Sequence, residues 1–179
     1  MKRWTVVAAV AAALVILPGC GTKNGSSSSD QPASSDSGGA MEQIQAQAEA
    51  KADAQKARAK CQRQVGSLQR ELEAVNSRLD VGMTQSDYNT ALGDVSIAYD
   101  DLSVGQLDPD CLGVAVQLEG AFNRYIKANN EWSDCIDDLY CDLDADALPG
   151  LRDHWSAANR LIEKAERRLD RMGVPDPVI

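Results

Sequence analysis

Apolar residues recur at alternating steps of four and three positions along four stretches of the chain. This period places the apolar residues of each stretch on one face of a helix. No stretch shows the period of two, supported by β-branched residues, that is typical of a strand. The pattern therefore predicts an all-α fold, an up-down antiparallel bundle of about four helices. The four faces are Cys61, Val65, Leu68, Leu72, Val75 and Leu79; Tyr88, Leu92, Val95, Tyr99 and Leu102; Cys111, Ala115, Leu118, Phe122, Tyr125, Asn129, Trp132, Ile136 and Leu139; and Leu151, Trp155, Ala158, Ile162, Ala165, Leu169 and Met172.

Residues that favour helix ends lie between these stretches. Thr84, followed three positions later by Asp87, resembles a capping box at the start of the second helix. Asp108 precedes a proline, which is the pattern of an N-cap and first turn. Gly105 and Gly173 are expected to end the second and fourth helices. Such short connections make consecutive helices antiparallel neighbours.

Upstream of the bundle, the composition changes twice. Residues 41–60 alternate alanine with polar residues, which favours a helix but offers little apolar area to bury. They predict a solvated helical stalk, roughly 30 Å long, although Ile44 leaves a coiled-coil partner open as an alternative. Residues 20–40 are rich in serine and glycine and predict a disordered tether, with glycosylation as the alternative interpretation. The predicted bundle and tail are residues 61–174 and 175–179.

The first residues follow the pattern of a secretory signal. Two basic residues precede an apolar run, Val6–Leu17, that is too short to span a membrane as a mature helix. The following Leu17-Pro18-Gly19-Cys20 resembles the lipobox of bacterial lipoproteins. That resemblance implies that the signal peptide, residues 1–19, is removed and that Cys20 is acylated. It also implies a protein that is anchored to the cell membrane by its lipid and faces outside the cytoplasm.

Four further cysteines, Cys61, Cys111, Cys135 and Cys141, form an even set, which in an exported chain favours two disulfides. Because the second helix runs back along the first, the third helix starts beside Cys61, which places Cys111 at the same level along the bundle axis. Cys135 and Cys141 can pair if the third helix ends near Leu139 and the chain turns back. We therefore predict the pairs Cys61–Cys111 and Cys135–Cys141. Redox or metal chemistry of these thiols is disfavoured, because there is no Cys-x-x-Cys motif and only one histidine.

Acidic residues are concentrated in the middle of the chain. The formal net charge is −9, and residues 80–150 contain fifteen acidic residues against Arg124 and Lys127. Phosphate binding requires clustered Lys and Arg, so we expect neither nucleic acid nor anionic lipid headgroups as direct partners. Solubility and repulsion from a negatively charged envelope explain the excess. A basic partner or bound cations are the alternative.

Asp142, Asp144 and Asp146 alternate between the third and fourth helices, and Asp153 lies eleven positions after the first of them. Their spacing partly resembles a calcium-binding loop. The position that requires glycine holds Ala147 instead, and acidic residues also stabilise the start of a helix. The sequence therefore predicts no metal site, with these four aspartates as the weak candidate.

Asn129 is the one polar residue on the apolar face of the third helix, and Tyr125 and Trp132 flank it. A buried amide among aromatic rings is a candidate for contact with a small ligand inside a bundle. The alternative, which we favour, is that Asn129 fixes the helix register, against Asn159 on the facing helix.

No motif indicates catalysis or a cofactor: the sequence lacks Glu-x-x-His pairs, Cys-x-x-Cys-His and a glycine-rich phosphate loop. We therefore expect no enzyme, but a structural or interaction module presenting an acidic helical surface to an envelope or host protein. The alternative is a small-ligand or cation-binding lipoprotein that uses the bundle core or the aspartate loop. The chain is also similar to small helical lipoproteins of actinobacteria, notably over residues 125–132 and 135–141, which implies location and fold but no activity.

Overall fold

A computed structural model of the chain describes residues 37–174, and the side chains of residues 41–174. Within this range there are four α-helices and no strand, so the predicted all-α antiparallel bundle is confirmed. The predicted signal peptide, Cys20, most of the tether and the tail lie outside the described residues. The helices are α1 (Ser37–Val81), α2 (Gln85–Asp100), α3 (Pro109–Asp137) and α4 (Leu148–Met172), with a 3-10 turn at Val104–Gln106 and a π-helical turn at Leu143–Ala147.

The first helix is much longer than the others and begins at Ser37, before the predicted start of the stalk. Helix ends are the least sharply determined part of a sequence pattern. Every side chain from residue 41 to residue 53 is exposed, as the small alanine side chains led us to expect. The helix then joins the bundle through two ion pairs, Arg58 to Asp170 at 2.6 Å and Lys60 to Asp108 at 2.7 Å.

The core lies where the four predicted apolar faces meet, and no charged side chain is buried among the residues described. The prediction is wrong at the end of α3, where Ile136 and Leu139 are exposed. The helix stops at Asp137 because Asp138 adopts an extended conformation, with φ −93° and ψ 115°. Cys135 is the inward residue in that last turn instead.

Most of the predicted helix ends are confirmed. The Thr84 hydroxyl accepts a hydrogen bond from the Asp87 N–H at 3.1 Å and donates one to the Asp87 carboxylate at 2.7 Å. Asp108 caps α3 by accepting from the Asp110 N–H at 3.1 Å, and Gly173 is the C-cap of α4. These contacts satisfy backbone groups that the helix itself leaves unpaired.

Two connections add detail that the pattern did not predict. The predicted end of α2 at Gly105 is wrong, because the helix ends at Asp100 and Ser103, with ψ 77°, already lies outside the helical region. Gly105 belongs to the 3-10 turn instead. Between α1 and α2, Gly82 has φ 88°, a conformation that a side chain would strain.

Both predicted cysteine pairs lie at disulfide distance. The Cα atoms are 5.4 Å apart in Cys61–Cys111 and 5.3 Å apart in Cys135–Cys141, which are ordinary separations for a bridge. The first pair ties α1 to the start of α3, and we call that end of the bundle the stalk end. The second closes the chain at the end of α3, and we call that end the tip end. Among the described helices, none has the length together with the apolarity that crossing a membrane requires.

Candidate functional site

The connection between α3 and α4 exposes large apolar side chains that a bundle normally buries. We call residues 134–146 the tip. Leu139 and Tyr140 are 96% and 94% exposed, and Ile136 and Leu143 are also exposed. Ile136, Leu139 and Tyr140 lie between Cys135 and Cys141, and Leu143 follows Cys141 by two positions. The bridge between the two cysteines fixes the turn that carries these side chains. Exposed apolar residues are informative when they are large and contiguous, since such patches mark interaction surfaces.

Hydrogen bonds hold the backbone of the tip in one conformation. The Asp138 carboxylate accepts from the Tyr140 N–H at 2.9 Å, and the Asp138 carbonyl accepts from the Cys141 N–H at 3.1 Å. On the other side of the bridge, the Asp142 carboxylate accepts from the backbone N–H groups of Asp144 and Ala145, at 3.0 and 3.2 Å. A surface held in this way loses little conformational entropy when a partner binds.

The tip carries negative charge only. No lysine or arginine occurs between Asp134 and Leu151, a range that contains six aspartates. The carboxylates therefore surround exposed apolar side chains without neutralisation from the same segment. The six are Asp134, Asp137, Asp138, Asp142, Asp144 and Asp146.

Two of the four aspartates proposed as a metal candidate have their carboxylates bound to backbone N–H groups of the same turn. Asp142 caps the π-helical turn, and the Asp146 carboxylate accepts from the Asp142 N–H at 2.9 Å. No group of three or more acidic, histidine or cysteine side chains within residues 41–174 is arranged to hold a metal ion. Asp144 and Asp153 are exposed.

Four aromatic rings pack together inside the tip end of the bundle. Tyr88 is the centre, with its ring centroid 5.8 Å from that of Trp132, 6.2 Å from Trp155 and 6.3 Å from Tyr125. The two tryptophan rings are 5.9 Å apart. These edge and tilted contacts are the favoured geometries for aromatic pairs. Two of the three predicted ligand residues, Tyr125 and Trp132, are thus part of the core packing.

The polar atoms of this cluster are only partly satisfied. The Tyr88 hydroxyl accepts from the Trp155 indole N–H at 3.2 Å and donates to the Tyr125 carbonyl at 3.0 Å. By contrast, the Tyr125 hydroxyl and the Asn129 side-chain oxygen are buried without a hydrogen-bond partner. A buried polar atom without a partner costs about 1–3 kcal/mol. The expected pairing of Asn129 with Asn159 is not formed, since the Asn159 amide donates to Glu163 at 3.3 Å.

Burial raises the pKa of both buried tyrosines above the usual value of 10.0. For Tyr88 the hydrogen bond from Trp155 opposes this effect, but burial is the larger cause. For Tyr125 the carboxylate of Asp80 raises the pKa further. The Tyr125 phenol is therefore within electrostatic reach of a charged residue at the end of α1.

That carboxylate lies in a surface cleft of about 540 Å³ between the end of α1 and the start of α4. Trp155 belongs to both the cleft and the aromatic cluster, and Leu79 and Leu148 complete the apolar part of the lining. The cleft thus combines an apolar part with polar groups of both charges. Its polar lining consists of Asn76, Asp80, Arg152, Ser156 and Asn159.

Sequence reasoning identified the aromatic residues behind this cleft but missed its charged ones. Asp80 and Arg152 are 72 positions apart and follow no period, since both lie on the polar sides of their helices. The antiparallel order of α1 and α4 was the signal that could have brought them together. No protein-family profile matches this chain, and no curated protein or solved structure is significantly similar to it.

Proposed function

We propose that this chain is a lipid-anchored envelope protein that binds a protein partner through the tip. One observation carries the proposal: the Cys135–Cys141 bridge holds Leu139 and Tyr140 almost fully exposed within a segment that contains six carboxylates. Exposing two such side chains to water has no benefit for a monomeric bundle. In a complex, each would contribute about 1.5–3 kcal/mol through the removal of apolar surface from water.

The chemistry of the tip specifies its partner. A matching surface has an apolar pocket for Leu139 and Tyr140, with lysine and arginine residues around it. Opposite charges at the rim accelerate association and exclude wrong partners. A second copy of this chain does not fit, because two tips would bring twelve carboxylates together.

The anchor in this proposal rests on the lipobox resemblance at Cys20. The exposed stalk, residues 41–53, supports it, because a solvated helix beyond the tether would hold the bundle away from a membrane surface. Replacing Cys20 by Ala should abolish incorporation of a labelled fatty acid and release the chain from the membrane fraction. Label that persists on the Cys20→Ala chain would contradict lipidation at this residue.

Site-specific photocrosslinking in living cells tests the proposed interaction. The full chain would carry a photoreactive phenylalanine in place of Tyr140 or, as control, in place of Ile97, which is exposed on α2. We expect one reproducible protein adduct from position 140 only. The captured protein should carry a basic surface, and the adduct should decrease as salt is added, since salt screens exposed charges.

A charge reversal then distinguishes a specific contact from a chance one. Asp137→Lys with Asp144→Lys reverses two of the six negative charges of the tip without touching the carboxylates that brace it, and should abolish the adduct. Asp94→Lys with Asp100→Lys makes the same change of charge on α2 and should leave it intact. Loss of the adduct in both double variants, or equal yields of adduct from positions 140 and 97, would contradict docking at the tip.

A further inference from the structure

The cleft between α1 and α4 has a chemistry that the proposed docking at the tip does not use. It holds one carboxylate, on Asp80, and one guanidinium group, on Arg152. The ion pairs formed among the described residues involve neither of them. Two opposite charges that share a cleft without neutralising each other are complementary to a molecule that carries both charges.

The remaining lining narrows the class of molecule. Asn76, Ser156 and Asn159 offer amide and hydroxyl groups, which can donate to and accept from peptide groups. Trp155 and the two neighbouring leucines offer an apolar surface for a side chain. A volume of about 540 Å³ lies within the range of sites for small molecules and exceeds the needs of a single small amino acid.

A second observation comes from the aromatic cluster to which Trp155 belongs, where Tyr88 contacts both Trp155 and Tyr125. The Tyr125 hydroxyl and the Asn129 side-chain oxygen are buried without partners, although apolar residues would fill such positions without that cost. Tyr125 is also the buried residue whose titration responds to the charge of Asp80. Buried polar groups without a protein partner are commonly hydrogen-bonded to buried water, so this part of the core has a polar character that reaches towards the cleft.

We propose that this cleft binds a short peptide with free termini, whose ammonium group pairs with Asp80 and whose carboxylate pairs with Arg152. The guanidinium group matches a carboxylate through two parallel hydrogen bonds. The asparagines and Ser156 hold the peptide groups between the termini, and an apolar side chain lies on Trp155. This inference is independent of docking at the tip, because it uses none of residues 134–146.

The first experiment measures the thermal stability of the full chain, purified in detergent, with a panel of dipeptides that have free termini and cover all twenty side chains. A ligand that binds only the folded state raises the Tm. We expect a rise for dipeptides with apolar side chains. If no dipeptide in the panel raises the Tm at millimolar concentration, the proposal is wrong.

The best dipeptide is then titrated by calorimetry beside its N-acetylated form and its C-terminal amide. Each derivative lacks one charge and should bind roughly tenfold more weakly, since each loses one charge-assisted hydrogen-bonded pair. Asp80→Asn should weaken binding of the free dipeptide by a similar factor but leave the N-acetylated form unaffected. Arg152→Gln should likewise weaken binding of the free dipeptide but leave binding of the C-terminal amide unaffected.

Two exposed residues outside the cleft provide matched controls. Asp153→Asn and Arg78→Gln make the same changes of charge near the same helix ends, and should leave every affinity unchanged. Because Asp80 and Arg152 are also exposed, their variants should fold normally. Equal weakening of all three ligands by Asp80→Asn, or equal effects of the control variants, would overturn the assigned pairing.

Discussion

The two disulfides close opposite ends of the bundle, but they act on very different surroundings. Cys61 and Cys111 are both fully buried and join positions 50 residues apart, on α1 and α3. Cys135 and Cys141 are six residues apart, and between them the chain exposes Leu139 and Tyr140. One bridge belongs to the core, whereas the other shapes a surface.

This difference shows that a disulfide can stabilise the core at one end of the bundle and hold exposed side chains in place at the other. Constraining a long loop removes more freedom from the unfolded chain than constraining a short one. At the stalk end, the bridge adds to ion pairs and buried apolar contacts that already join α1, α3 and α4. At the tip end, it holds a turn whose side chains bury almost nothing.

The largest effect should follow loss of the buried bridge. The double variant Cys61→Ala, Cys111→Ala should lower the free energy of unfolding by about 4 kcal/mol, from the loop-entropy relation for a loop of this length. Chemical denaturation followed by far-UV circular dichroism would measure it. A loss below about 1 kcal/mol would mean that contacts of the stalk end alone keep α1 and α3 together.

Loss of the tip bridge should have a smaller effect on stability and a larger one on binding. Cys135→Ala with Cys141→Ala should cost about 2 kcal/mol by the same relation. It should also reduce the photocrosslinking yield from position 140, because the turn is no longer held. A yield that stays unchanged would show that the hydrogen bonds of Asp138 suffice to hold the turn.

The sequence predicted the core well because the core follows a period. Each predicted apolar face is buried over most of its length, and the heights of antiparallel helices were enough to select both cysteine pairs. The exposure of the side chains at the end of α3 could not be predicted from this period. Leu139 keeps the helical spacing, and only the extended backbone of Asp138 turns it out to solvent.

The candidate sites were less predictable, because they depend on residues outside the apolar period. The tip was visible only as an acidic segment, since exposure of Tyr140 is set by the turn and not by its neighbours in sequence. The cleft combines Asp80 and Arg152 from two helices, and polar positions carry no spacing that pairs them. Asn129 was identified, but its expected partner Asn159 bonds along its own helix.

A matched pair of hydroxyl deletions tests the aromatic cluster of the tip end. Tyr88→Phe removes a hydroxyl with two hydrogen bonds and should lower the free energy of unfolding by about 1–2 kcal/mol. Tyr125→Phe removes a buried hydroxyl without a partner and should leave stability unchanged or raise it by up to about 1 kcal/mol. Thermal and chemical denaturation of both variants would measure the difference. Equal destabilisation would indicate that the Tyr125 hydroxyl has a partner, such as a buried water.

The smallest effects concern two carboxyl groups, those of Asp108 and Glu166. Their pKa values shift in opposite directions. The hydrogen bond from Lys60, helped by the Asp110 N–H, lowers the pKa of Asp108 below its usual 3.8. Burial, helped by the neighbouring Glu73, raises the pKa of Glu166 above its usual 4.5. The ionised form of Asp108 therefore stabilises the fold, and the ionised form of Glu166 destabilises it.

These shifts predict opposite changes as the solution is acidified. From neutral pH down towards 4.5, protonation of Glu166 should increase stability, and below 3.8 protonation of Asp108 should decrease it. Glu166→Gln should remove part of the increase and raise stability at pH 7, whereas Asp108→Asn should remove part of the decrease and lower stability at pH 7. Melting curves of both variants and the unchanged chain between pH 7 and about 2.5 would show these differences. A Glu166→Gln curve that runs parallel to that of the unchanged chain would mean that the repulsion between Glu166 and Glu73 is fully screened by solvent.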